Sequence, residues 1–177
     1  AVSMSNLVSN AGVVATDVTG VGTARYGAEA CEYGEDLGIF AYGNASGGLV
    51  SVSNLVSNVG VIGTDVTGVG TARRYPAACN YGGDKGIVVY GTAGPGGLIT
   101  VSNLISNVGV VATDITGVGT ARYDAAACEY GGDKGISAYG YTTSYVNMSN
   151  LISNVGVVST DVTGVGTVRS TTACSLN

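Results

Sequence analysis

The feature that most constrains this chain is an internal repeat. The segment Ser-Asn-Leu-x-Ser-Asn begins at Ser5 and returns at Ser53, Ser102 and Ser149, giving spacings of 48, 49 and 47 residues. A second block, Thr-Asp-x-Thr-Gly-Val-Gly-Thr, recurs at 16–23, 64–71, 113–120 and 160–167. A third, Tyr-Gly-x-Asp-x-Gly-Ile, occurs at 33–39, 81–87 and 130–136. A fixed period of this size is the mark of propellers, solenoids or arrays, built by stacking one supersecondary unit on its copies. The units run approximately 5–52, 53–101 and 102–148, with a partial fourth at 149–177.

Each unit reads as four strands: 73–81, 85–90, 98–106 and 108–116 in the second copy. Glycine turns separate them, and the third alternates with period 2. The composition agrees. Thirty glycines supply tight turns, and 45% hydrophobic residues argue against disorder. No segment shows a helical period, and the longest apolar runs are far below the ~18 residues that span a bilayer. The expected fold is therefore all-β: a propeller-like repeat protein of four-stranded antiparallel blades of about 48 residues. In this phase the chain opens on a third and fourth strand and stops in a first strand. A four-bladed ring would then lack one strand, and the alternative is head-to-tail contact with a neighbour.

The unit resembles the kelch-type β-propeller repeat. The residues that carry the likeness are Thr71-Ala72-Arg73, Ala77-Ala78-Cys79, the turn Tyr81-Gly82-Gly83-Asp84, and Ile87-Val88-Val89-Tyr90-Gly91. Kelch units usually end the second strand in Gly-Gly and carry a later Trp; here Tyr-Gly stands instead and Trp is absent. The near-identity of the copies also resembles repetitive fibre and particle-surface proteins of phages and giant viruses.

Two residue sets repeat with the units. Asp17/Arg25, Asp65/Arg73, Asp114/Arg122 and Asp161/Arg169 each lie eight residues apart. They are expected to be structural, the Asp fixing its own turn and the Arg bridging strands or blades, rather than a carboxylate-gripping ring. Cys31, Cys79, Cys128 and Cys174 occupy one equivalent position without C-x-x-C spacing, so no metal site is expected. Small buried hydrophobes are the favoured reading of these cysteines, ahead of pairing within or between chains. The Gly-Gly-Asp-Lys turns offer too few acids for Ca²⁺ and read as hairpin turns.

Recognition residues are sought elsewhere. Asn54 with Asn58, and Asn103 with Asn107, are four apart and would share one strand face, where amides could meet sugar hydroxyls or neighbouring blades. The copies differ mostly in the loops 43–49, 91–98 and 140–147, the last with Tyr141 and Tyr145. Asn44-Ala45-Ser46 and Asn147-Met148-Ser149 match the glycosylation acceptor pattern.

No His is present, which removes Ser-His and Cys-His nucleophiles and imidazole-bound metals, so no enzyme and no cofactor are expected. Net charge is −5, and four of seven basic residues sit at the repeated Arg position, leaving no patch for nucleic acid. The sequence reading is a structural, self-assembling repeat protein, extracellular or on a virion surface, whose partners are its own copies or other structural proteins. A glycan-binding propeller is the alternative, and an interaction scaffold the third.

Overall fold

The computed structural model describes residues 1–171 and 173. The described residues contain twelve strands and no helix. Counted by sheet, so that each unit takes its last strand from the following sequence copy, the first unit holds β1 (Arg25–Tyr26), β2 (Glu29–Tyr33), β3 (Leu37–Ala41), β4 (Asn44–Ala45), β5 (Gly48–Leu49) and β6 (Ser53–Val56). The second contributes β7 (Ala77–Tyr81), β8 (Lys85–Val89) and β9 (Ser102–Ile105), and the third β10 (Ala126–Tyr130), β11 (Lys134–Ala138) and β12 (Ser149–Ile152).

Each unit forms one three-stranded antiparallel sheet, in the orders β2-β3-β6, β7-β8-β9 and β10-β11-β12. Its register repeats, with Cys31 opposite Ile39, Cys79 opposite Ile87 and Cys128 opposite Ile136. A smaller sheet, β1-β4-β5, caps the first unit; single bridges replace it in the others, at Thr92 and at Tyr141.

The expectation of four-stranded blades is corrected here. The segment 108–116 meets β9 through isolated bridges at Ser102–Ile115 and Ile105–Val111, with Ala112 N donating to Leu104 O at 2.8 Å between them, and does not form a continuous ladder. The turn Ser106-Asn107-Val108-Gly109 is tight, closed by hydrogen bonds from Val110 N and Gly109 N to Ser106 O or Oγ. Beyond it scattered backbone hydrogen bonds and the side chain of Asn103 hold the chain in place of a continuous ladder. Nor do the sheets close into a ring of complete blades.

Neighbouring sheets pack through their first strands, β2 against β7 and β8, and β7 against β10 and β11. Strand β8 buries both faces: Ile87 and Val89 join Tyr81, Tyr90 and Ile152, while Val88 joins Tyr33, Ile39 and Ile105. That explains the unbroken apolar run at the middle unit. Close approach depends on Gly86 and Gly135. A Cβ there would lie 2.7 Å from Cys31 Sγ or 2.6 Å from Cys79 Sγ. Each cysteine therefore fills the space above the next unit's glycine.

Cys31 and Cys79 are free thiols, and Cys174 lies outside the described residues. Burial, reinforced by the nearby Glu29 charge, pushes the Cys31 thiol up to about 12, and burial raises Cys79 as well. Because the thiolate is the reactive form, iodoacetamide at pH 8 is expected to modify both at least about a hundredfold more slowly in native than in denatured protein. Peptide mass mapping over time checks this, and equal rates would refute it.

Candidate functional site

The repeated polar residues converge on one network per unit. In the second unit Thr71 donates from its backbone N and its hydroxyl to the Asp114 carboxylate, at 3.0 and 2.6 Å. Asn103 donates to Asp114 at 2.9 Å and to Ala112 O at 3.0 Å. Its carbonyl oxygen accepts from Arg73 Nη2 at 2.7 Å, and Arg73 Nη1 donates to Thr71 O. The guanidinium lies 3.7 Å above the ring of Tyr42 in the preceding unit. The same pattern joins Arg25 to Asn54, and Arg122 to Asn150 with Tyr90 beneath it.

The arginines do bridge strands and units, and each approaches the aspartate some forty residues downstream: Arg25 with Asp65 at 3.9 Å, and Arg122 with Asp161 at 4.0 Å. The aspartate holds a threonine about forty residues upstream, not its own turn. At the two outer copies, Asp17 accepts from Asn6, and Arg169 stacks 4.0 Å over Tyr139 and donates to Thr167 O.

The tyrosines under the arginines adopt an unusual backbone. Tyr42, Tyr90 and Tyr139 have φ of 63°, 61° and 62°, a left-handed conformation costly for an aromatic residue. It is retained because the ring supports the next unit's guanidinium and the hydroxyl donates to a linker carbonyl, Val69 O or Val118 O. The following glycine donates to the arginine's own carbonyl, as Gly43 N does to Arg73 O at 2.8 Å. Sequence reading recorded the Tyr-Gly pair as the end of the second strand and gave these tyrosines no role, although the pair recurs at 42–43, 90–91 and 139–140.

Arg73 and Arg122 are completely buried. Burial lowers the pKa of Arg73 and of Arg25. The hydroxyl of Thr23 is the main cause that holds Asp65 below the usual carboxylate range. For Asp114 and Asp161 burial acts upward, but hydrogen bonds from Thr71 and Asn103, and from Thr120 and Asn150, leave both lowered. A carboxyl depressed in the folded state stabilises above its unfolded pKa, and that stability is lost as pH falls through the folded value. Glu29 and Asp124, both pushed up by burial, act in the opposite sense and relax on protonation. With three network carboxylates against two, unfolding is expected to set in below about pH 4. Circular dichroism against pH measures it; a fold unchanged to pH 2 would contradict it.

The asparagines do not share a face. Asn54 and Asn103 are buried in the networks. Asn58 and Asn107 lie past the ends of β6 and β9, where they donate to Asp36 and Asp84 of the hairpin turns at 3.0 Å. The turns themselves place Gly82 and Gly83 at positive φ, with Lys85 paired to Asp84. Among the described residues no cluster of three metal-ligating side chains occurs.

A different set of residues meets where the first strands begin. Ala28-Glu29, Tyr75-Pro76, Asp124-Ala125 and Ser170-Thr171, one pair from each copy, line a single open cavity of about 520 Å³. From its wall a string of tyrosines runs both ways. Tyr26 and Tyr75 have ring centroids 6.3 Å apart, Tyr75 and Tyr123 6.1 Å, Tyr123 and Tyr141 5.4 Å, and Tyr141 and Tyr145 5.2 Å. Arg74 lies 5.2 Å over Tyr75 and donates to the Tyr26 hydroxyl. Of the residues proposed from sequence for recognition, Tyr141 and Tyr145 belong to this string and the asparagines do not. No protein-family model matches the chain, and no curated protein is significantly similar to it.

Proposed function

We propose that the chain is a structural, self-assembling repeat protein, extracellular or virion-borne, whose units form a propeller-like arc. The observation that carries the reading is the use made of its polar residues. Arg73, Arg122, Asn103 and Asn150, the groups best suited to hold a ligand, are buried and spent on closing one unit and locking it to the next. Rigidity is what such an array provides. The segments that lead into the first strands of three copies, with Ser170 and Thr171 of the fourth, line one cavity and support the arc.

Association of copies is supported by the outer turns. Val59 and Val61, Val108 and Val110, and Val155 and Val157 are each 62–70% exposed, one pair per unit. An apolar row of this kind is suited to burial against a second copy. Light scattering after size exclusion tests the reading. Oligomers at micromolar concentration that dissolve in the V108E/V155E variant are expected; a monomer at all concentrations would overturn it.

A further inference from the structure

The tyrosines divide into two sets. Tyr42, Tyr90 and Tyr139 stand at one repeat position and carry the network arginines. Tyr26, Tyr75, Tyr123, Tyr141 and Tyr145 share no such position, yet they form one unbroken row. Successive ring centroids lie 6.3, 6.1, 5.4 and 5.2 Å apart. The rings are tilted and packed on one another, so the row presents no open face to a ligand. What such contact permits is the passage of an electron from ring to ring, since tunnelling needs close approach and not coplanarity. Tyr75, Tyr123 and Tyr141 are half-buried, whereas the two ends, Tyr26 and Tyr145, are 44% and 51% exposed. No Trp or His competes for oxidation, and burial keeps Cys31 and Cys79 as thiols, the less oxidisable form.

We propose that the row is a relay for one-electron oxidation that ends at Tyr145, where a dityrosine bond joins two copies of the chain. A peroxide-driven oxidant of the haem-peroxidase class takes one electron from a ring of the row, and the phenolic proton passes to water. A neighbouring ring then refills the vacancy and returns a proton with the electron, so the radical moves along the row. Arg74 sets the direction. Its guanidinium lies 5.9 Å over Tyr26 and 5.2 Å over Tyr75, and the Tyr26 oxygen accepts from both Arg74 and Asn44. Positive charge disfavours an electron-poor ring, so the radical leaves that end for the other. Two Tyr145 radicals from different copies couple through the carbons ortho to oxygen, and tautomerisation restores both phenols. Each bond releases two electrons and two protons, which convert one hydrogen peroxide into two waters.

The relay goes beyond the scaffold reading, because transfer along the row is intramolecular and needs no assembly. A ruthenium tris-bipyridine photo-oxidant tethered to Ser46→Cys starts oxidation at the Tyr26 end of the full chain, with a cobalt(III) ammine as electron acceptor. Ser46 is exposed and lies beside Asn44, which donates to the Tyr26 hydroxyl. Peptide mapping by mass is expected to find Tyr145 linked to Tyr145 in covalent dimers. Tyr130 is the control, being 38% exposed but outside the row, and should stay largely unmodified. Tyr123→Phe and Tyr141→Phe each keep a ring but one that resists oxidation. Either should reduce the Tyr145 product to that of untethered protein, with thermal melting unchanged, and Tyr145→Phe should abolish the dimer. A spin trap in dilute protein captures the Tyr145 radical within single chains, so a chain that never assembles still tests the relay. Product at Tyr145 undiminished by both inner variants, or equal modification of Tyr130 and Tyr145, would overturn the proposal.

Discussion

Arg122→Ala is expected to cost about 3–5 kcal/mol of stability, the cost of breaking a buried charge network from one side. The side chain is wholly buried. Its removal leaves Asn150 Oδ1, Thr120 O and Ser137 O without their donor. It also opens a void above the Tyr90 ring, which lies 4.2 Å below the guanidinium. Lysine would not restore the site, since one ammonium cannot stack on the ring and fork toward Asn150 and Thr120 together. Chemical denaturation of Arg122→Ala and Arg122→Lys measures both. A loss below about 1 kcal/mol for alanine would show that the network is not what joins the second unit to the third.

The second large effect is expected at Gly70. Its φ is +75°, and a Cβ there would lie 2.3 Å from Asp114 Oδ1 and 2.6 Å from Asn103 Nδ2. Gly70→Ala must therefore bear about 1–2 kcal/mol for the left-handed backbone and a further 1–3 kcal/mol for displacing the Asp–Asn pair. Gly83 separates the two contributions. Its φ is +81° but nothing lies within 4 Å of an added Cβ, so Gly83→Ala should show the backbone cost alone. Equal destabilisation by both variants would mean that the aspartate moves aside freely. The second glycine of Thr-Gly-Val-Gly-Thr thus has a reason in the lock.

The repeat, the all-β class and the positions of most strands were legible because turn glycines and period-2 runs are local signals. The fourth strand was not. Residues 108–116 alternate as a strand does, yet they meet β9 through scattered backbone hydrogen bonds, with Asn103 donating to Ala112 O and Asp114 tying Thr71 between them. The last two are side-chain contacts at a distance, which periodicity does not report. The Asp–Arg repeat was visible, but each aspartate was expected to fix its own turn, because sequence shows spacing and not that a threonine some forty residues upstream comes within reach. The tyrosine string was hidden for a related reason. Tyr26, Tyr75 and Tyr123 stand at two different repeat positions, and only the arc of the units brings them into one row.

Each network ties the start of a unit to its own end, while the tyrosine of that unit carries the arginine of the next. A segment cut from one network threonine to the next therefore carries a whole network, and its tyrosine meets the arginine of the copy that follows. Recombination between near-identical coding segments can add or delete such a cassette without inventing an interface. Copy number can then change while every joint keeps its form.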